Sequence, residues 1–208
     1  MPFTVTADNQ MLDALNGGTP SSIIAYASLH TAYSVTGTNE LTGGSPAYAR
    51  VAVSWSAAGS SAKSPSGTPS AFNVPASTTV AYIGFWSALT SGTFCGMGPN
   101  GGGTQYAFTA ATGATATFTA PGSSYTNGQT VVVFPGVGAT LPTTLPTAGT
   151  IYYIVSASGA TFQLSATSGG GGITTGSTGA GLIQAITTEV YNAQGTFQVT
   201  TATALSVL

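Results

Sequence analysis

The chain has 208 residues and is 42% hydrophobic, but only 3% of it is charged: two Lys or Arg and four Asp or Glu, with a single His. An ordinary soluble domain carries about a quarter charged residues, so this chain cannot rely on charge repulsion to keep its copies apart, which favours a component of a larger assembly. Two basic residues exclude nucleic-acid binding through phosphate contacts and a polybasic membrane surface, and no apolar stretch reaches the roughly 18 residues of a transmembrane helix.

The N-terminal segment has the pattern of a short helix. Asp8 is a suitable N-cap, and Met11, Leu12 and Leu15 fall on one face at helical spacing. Gly17-Gly18 then ends the helix. The sequence therefore predicts a helix over about residues 8–16, with no signal peptide before it.

After Gly18 the hydrophobic period changes to two, which predicts strands. The run 49–56 alternates cleanly, with Val51, Val53 and Trp55 on one face. The run 79–86 places Val80, Tyr82 and Trp86 on one side and Ile83 and Phe85 on the other, so we expect it to be buried on both faces. Further strands are predicted over 22–29, 93–96 and 105–109.

From about residue 113 the sequence pattern changes to short strand-like runs at about ten-residue spacing, over 114–120, 130–134, 150–156 and 161–166. A Gly/Ser/Thr-rich linker follows over 168–181, and strand-like sequence returns over 182–191 and 196–208. We therefore predict a mainly β protein: an antiparallel sandwich-like host domain, 1–112 plus 184–208, with a small inserted barrel or sandwich module, 113–183. Insertion of such a module is tolerated at exposed hairpin tips.

The residues that could carry chemistry do not form a motif. Gly96, Gly98 and Gly101 match the spacing of a dinucleotide fingerprint, but no helix pattern or acidic residue follows at the required distance, so a loop is the better interpretation. Cys95 lies beside bulky apolar residues and is expected to be a small buried hydrophobe. It cannot form a disulfide within the chain, which fits folding in a reducing cytoplasm.

His30 alone cannot build a metal site, and we expect a structural histidine, although spacing leaves a Ser-His-Asp arrangement open. The four acidic residues form no local pair of the kind that a glycosidase needs. They are Asp8, Asp13, Glu40 and Glu189. We therefore predict no catalytic residues, no cofactor and no metal.

Arg50 opens a strong strand, and two interpretations are open for it. It either makes fixed hydrogen bonds to carbonyls or to Glu40, or lies solvated at the strand end. The residues expected to make structural or oligomer contacts are Met11, Leu12, Leu15, Arg50, Val51, Val53, Trp55, Val80, Tyr82 and Trp86.

Several ordered segments carry a resemblance to a known family: 27–31, 37–44, 48–50, 52–55, 72–76, 80–88, 91–94 and 191–197. Together they resemble small virion proteins of tailed bacteriophages, labelled tail fibre or minor tail proteins and common in phages of actinobacteria. The resemblance covers about residues 9–95 and 189–208. Within the insert, 150–155 and 161–166 are similar to small β modules that repeat in other phage structural proteins.

The resemblance implies a non-enzymatic structural component of the virion, a minor tail or tail-fibre-like protein that touches the host surface. The alternatives are a capsid decoration protein bound to the major capsid shell and a tail-associated carbohydrate-active enzyme. The expected partners are other copies of the chain, most simply in a trimer, other virion proteins (tail or major capsid protein) and a host cell-surface glycan, without nucleic acid or membrane insertion. The expected location is the virion, assembled in the cytoplasm of the bacterial host.

Overall fold

The computed structural model describes residues 24–56, 62–63, 65–199 and 205–206. Every regular element in this part of the chain is a β-strand, so the prediction of a mainly β fold is confirmed. The described residues contain no helix that could cross a membrane. The helix predicted over about 8–16, with Met11, Leu12 and Leu15, lies outside the described residues.

Sixteen strands are described. In chain order they are β1 Tyr26–His30, β2 Val51–Ala52, β3 Ala62–Lys63, β4 Phe72–Val74, β5 Thr78–Val80, β6 Tyr82–Trp86, β7 Phe94–Pro99, β8 Tyr106–Ala110, β9 Phe118–Thr119, β10 Thr130–Phe134, β11 Ile151–Ser158, β12 Thr161–Ser165, β13 Gly179–Ala185, β14 Glu189–Tyr191, β15 Gly195–Phe197 and β16 Leu205–Ser206.

The chain divides into two compact units. The first contains Met1–Gly98 and Thr188–Leu208, and the second is Pro99–Thr187. The sequence pattern predicts these boundaries at 113 and 183 instead. The difference arises because β8, which resembles the strands of the first unit in sequence, pairs with β13 and β9 of the second.

The first unit is built on a four-stranded sheet in the order β2-β1-β6-β7. Strand β1 is its centre and pairs antiparallel with β6 along its whole length, from Tyr26↔Trp86 to His30↔Tyr82. Smaller antiparallel pairs complete the unit, in which β14 returns to β5, β15 to β4 and β16 to β3. The C-terminal segment thus belongs to the same unit as the N-terminal half of the chain.

The hydrophobic core of the first unit fills the space between these strands. It contains Ala27, Leu29, Leu41, Val53, Phe72, Val74, Val80, Ile83, Phe85, Cys95, Phe197 and Val199. Strand β6 is buried on both faces, as its sequence predicts. Val80, however, packs into this core with Phe85 and is not on the side of Tyr82 and Trp86, because the regular strand is interrupted at Ala81, whose N–H donates to the carbonyl of His30.

Gly84 lies in the middle of β6 and is required there by the close approach of β1. A Cβ at this position would lie 2.4 Å from Nε2 of His30 and 2.5 Å from Oγ of Ser28. Ser28 lies directly opposite Gly84 in the register of the two strands, and His30 lies two positions farther along β1. Only glycine lets β6 come this near to two polar side chains.

The second unit is a closed six-stranded barrel in the order β10-β11-β12-β9-β8-β13. Closure pairs every strand on both sides, so the barrel has no free edge. Its interior is filled by apolar side chains, among them Phe108, Phe118, Phe162, Tyr125, Tyr152, Val131, Val133, Ile154, Leu164 and Ile183.

The register places three long connections at one end of this barrel. They are 111–117, 135–150 and 166–178, which follow β8, β10 and β12. The chain enters and leaves at the opposite end, where the N–H of Thr187 donates to the carbonyl of Asn100 at 2.8 Å. We call the end with the three connections the loop end.

Candidate functional site

A polar network in the first unit contains Arg50, Glu40 and Tyr48. Arg50, immediately before β2, binds Glu40 in a two-pronged ion pair: Nε donates to Oε1 at 2.9 Å and Nη2 donates to Oε2 at 2.8 Å. The two side chains are 10% and 18% exposed. This pairing is the fork geometry in which arginine binds a carboxylate most strongly.

The rest of the Arg50 guanidinium binds the connection between β6 and β7. Nη1 donates to the carbonyl of Ser91 at 2.7 Å and to that of Ala88 at 3.1 Å. The guanidinium carbon lies 3.5 Å from the centre of the Trp86 ring, a cation–π contact. The structure therefore gives Arg50 fixed hydrogen bonds, the first of its two interpretations, and leaves it few donors for a ligand.

Tyr48 links this ion pair to the central strand. Its hydroxyl donates to Oε1 of Glu40 at 3.2 Å and accepts the N–H of Leu29 at 2.9 Å. Burial is the main cause that raises the pKa of Tyr48 above its ordinary value of 10. The hydroxyl consequently stays protonated and keeps both bonds.

A second set of polar contacts lies between β1 and β6. Oγ of Ser28 is 2.7 Å from Nε2 of His30, and Nδ1 of His30 is 2.9 Å from the carbonyl of Thr38. Because a carbonyl only accepts, Nδ1 carries the proton and Nε2 accepts from the serine hydroxyl. Nε1–H of Trp86 in turn donates to Ser28 Oγ at 2.9 Å.

The Ser28–His30 pair resembles part of a hydrolase triad, but its surroundings do not suit catalysis. Both side chains are 0% exposed, so no substrate reaches the hydroxyl. The group that orients the imidazole is a carbonyl, whereas a triad uses a carboxylate. Burial lowers the pKa of His30 below its ordinary value of 6.5, more than the bond to Thr38 and the charge of Glu40 raise it. The arrangement holds a neutral histidine and joins the segment before β2 to the sheet.

The other residues predicted to make contacts lie mostly inside the first unit. Val53, Val80, Tyr82 and Trp86 are buried, and Val51 and Trp55 are half-buried against the core. Nε1–H of Trp55 donates to the carbonyl of Ile24 at 2.8 Å. Because these four side chains are buried within the chain, contacts between copies would have to use other surfaces.

Cys95 and the neighbouring glycines lie on strand β7. Cys95 is 0% exposed, and burial raises the pKa of its thiol to about 11, so it is not a thiolate near neutral pH. The interpretation of the glycine motif as a loop is wrong for its first part, because Gly96 and Gly98 are strand residues on either side of buried Met97. A dinucleotide would require these glycines between a strand and a helix.

The second unit lacks ionisable side chains apart from tyrosines. Residues 99–187 contain no Asp, Glu, Lys, Arg or His. In the described part of the chain, no group of three His, Cys, Asp or Glu side chains could hold a metal ion. Polar chemistry in this unit is therefore limited to hydroxyl, amide and main-chain groups.

Sequence reasoning singled out Arg50 with its partner Glu40 but missed Ser28 and Tyr48. Ser28 and His30 are two positions apart on a strand, which places both on one face and could have suggested a contact. Nothing local indicates Trp86 as the donor to Ser28, since that bond spans 58 positions.

Comparisons with known proteins give one match. Residues 2–101 match the family described as Podophage GP4 fiber I protein gp80. No curated protein and no solved structure matches the chain. The match confirms the resemblance to phage tail-fibre proteins and supports a structural fibre component. It covers the N-terminal part of the first unit and ends just inside the second, which begins at Pro99.

Proposed function

From the match of residues 2–101 to a phage fibre family, we propose that the protein is a non-enzymatic subunit of the phage tail. It is of the minor tail or tail-fibre type and touches the host surface. The observation that carries this proposal is the family match itself. The matched segment supplies seven strands and most of the core of the first unit. The family resemblance therefore applies to a folded unit and not to an isolated motif.

The geometry of the polar groups supports a structural role over catalysis. Glu40 is held by Arg50 and Tyr48, and Glu189 accepts the hydroxyl of Tyr191 at 3.0 Å. Ser28 and His30 are sealed in the core. A tail-associated glycosidase would need two carboxyl groups facing each other across a sugar, and the described residues offer no such cleft pair.

Partners follow from the composition of the surface. A nearly uncharged chain with exposed apolar side chains is prone to associate unless it is covered. Among the described residues the large exposed ones are Val35, Leu89, Val137 and Val190. The proposed partners are therefore further copies of the chain in a symmetric assembly, together with neighbouring tail proteins. A trimer is the form that the resemblance to phage fibres implies.

Labelling of purified virions tests the proposal. Antibody fragments raised against the full chain should decorate the tail or its fibres in electron micrographs. Decoration of the capsid shell would support the decoration-protein alternative, and absence from virions would contradict both. Cleavage of a host envelope polysaccharide by the purified chain would support the enzymatic alternative.

A further inference from the structure

The loop end of the second unit is an ordered surface. Connection 166–178 lies between the other two and is bonded to both. Oγ1 of Thr175 donates to the carbonyl of Ala111 at 2.7 Å, and Oγ1 of Thr174 donates to that of Ala114 at 3.0 Å. On the other side, the N–H of Thr143 donates to Oγ of Ser177 at 3.1 Å. A surface held in this way loses little conformational entropy when a ligand binds.

The loop end also exposes groups that the fold does not use. Thr115 and Thr178 are exposed, and their hydroxyls make no hydrogen bond to another described residue. Val137, at the tip of a turn closed by the N–H of Ala139 and the carbonyl of Gly136, is fully exposed. Each of the three connections thus presents hydroxyl or apolar surface to the solvent. Long connections on a rigid scaffold are a common place for binding residues.

The absence of charge restricts what can bind there. Residues 99–187 contain no Asp, Glu, Lys, Arg or His, so a charged group of a partner would lose its hydration without gaining an opposite charge. Protein surfaces are rich in charged residues, and anionic polymers need Lys or Arg. A neutral polysaccharide carries no charge and presents a dense array of hydroxyl groups. It therefore matches this surface better than a charged protein or an anionic polymer does.

We propose that the loop end of the second unit binds an uncharged polysaccharide of the host surface. The proposal rests on the proposed function as a host-contacting virion protein, and it assigns the contact to a unit that lies almost wholly outside the family-matched residues 2–101. Hydrogen bonds between hydroxyl groups and main-chain groups would carry recognition, with Val137 giving one apolar contact. Binding of this kind does not depend on counterion release and is therefore insensitive to salt.

The test uses the full chain and the polysaccharide released from phage-sensitive cells, separated by anion exchange into a neutral and an anionic fraction. We expect the chain to bind the neutral fraction, with an affinity that changes less than twofold between low and high salt. Binding to the anionic fraction alone, salt-sensitive binding, or binding to neither fraction overturns the proposal. Self-association through the loop end, seen as a change in oligomeric state with the variants below, also overturns it.

Three variants place a negative charge on each connection in turn: Thr115→Glu, Val137→Glu and Thr178→Glu. The matched control is Thr126→Glu, an exposed threonine in the connection 120–129 at the opposite end of the barrel. We expect at least a tenfold loss of binding in two or more of the three loop-end variants and less than a twofold change in the control, with unchanged unfolding midpoints. Equal losses in all four contradict the assignment to the loop end. Detection of the chain in virions by mass spectrometry checks the proposed function separately. If the chain is present in virions but binds neither fraction, only the proposed binding of polysaccharide is contradicted.

Discussion

Oγ of Ser28 lies 2.7 Å from Nε2 of His30 on strand β1, and both residues are completely buried. The serine is held from the other side by the indole N–H of Trp86. This relationship makes His30 a neutral acceptor, and the network around it can be tested with the two tryptophans as probes. Both Trp55 and Trp86 lie in the first unit, so tryptophan fluorescence reports the unfolding of that unit alone.

The stability of the first unit should fall as the pH drops below about 6.5. Burial lowers the pKa of His30 from its ordinary value of 6.5. Below that pH the unfolded state takes up a proton that the folded state does not, so the unfolded state is favoured, by at most about 1.4 kcal/mol per pH unit, down to the folded pKa. Denaturant titrations between about pH 7.5 and about pH 5, a range in which ordinary carboxylates stay ionised, measure the slope of stability against pH. Tryptophan fluorescence follows the unfolding.

The control for this pH dependence is His30→Gln, which removes the titrating group. The variant should be less stable at neutral pH. Its stability should not fall between about pH 6.5 and about pH 5, the range in which the histidine of the unfolded chain takes up its proton. A wild-type stability that is flat over this window would show that His30 is not held neutral. An unchanged slope in the variant would assign it to another group.

Gly84→Ala should destabilise the first unit. The new Cβ would lie 2.4 Å from His30 Nε2 and 2.5 Å from Ser28 Oγ, and both neighbours are packed in the core. Overpacking of this kind costs about 1–3 kcal/mol. Gly171→Ala is the control, because a Cβ there meets nothing within 4 Å, and exposed changes of this kind stay within about 0.5 kcal/mol. Equal stability of the Gly84 variant and the wild type would mean that β1 and β6 are farther apart than described.

Replacing Arg50 should also weaken the first unit, even by lysine. Arg50→Lys keeps the charge, but a lysine cannot make two hydrogen bonds to Glu40 and two more to main-chain carbonyls at the same time. Removal of one partner of a completely buried ion pair lowers the free energy of unfolding by about 3–5 kcal/mol. Because this pair is partly exposed, we expect a loss of about 2 kcal/mol for Arg50→Ala. A double-mutant cycle with Glu40→Gln should give a coupling energy of about 1 kcal/mol or more. Additive effects of the two changes would contradict a direct pair.

The two units should fold separately. Because Thr187 N and Asn100 O are 2.8 Å apart, the ends left by deleting residues 99–187 can be joined by a short glycine linker. The shortened chain should keep a cooperative unfolding transition in tryptophan fluorescence. The excised segment 99–187 should show a β-type circular dichroism spectrum and no tryptophan signal. Loss of cooperative unfolding in the shortened chain would mean that the first unit depends on the second.

The sequence was most informative where the structure is local. The alternation of large side chains in 79–86 predicted a strand buried on both faces, and β6 is one. The short β runs after 113 predicted a small β module, and five of the six barrel strands lie in it or at its edge. Val80 was assigned to the wrong face because nothing in the sequence reveals the interruption at Ala81.

What the sequence could not provide are relationships between distant segments. The barrel closes when β8 pairs with β13, for example at Tyr106↔Ile183, and no local pattern distinguishes β8 from the strands of the first unit. The same holds for the indole of Trp86, which reaches Ser28 across 58 positions. Glu40, by contrast, was named as a partner of Arg50 because so few charges are available to either.

The copy number of the chain in purified virions, measured by quantitative mass spectrometry against the major capsid protein, tests the central claim most directly. A tail or tail-fibre subunit should be present at a small fraction of the copies of the major capsid protein, in a fixed ratio to other tail proteins. A copy number comparable to that of the major capsid protein, or the absence of the chain from intact particles, would contradict the account.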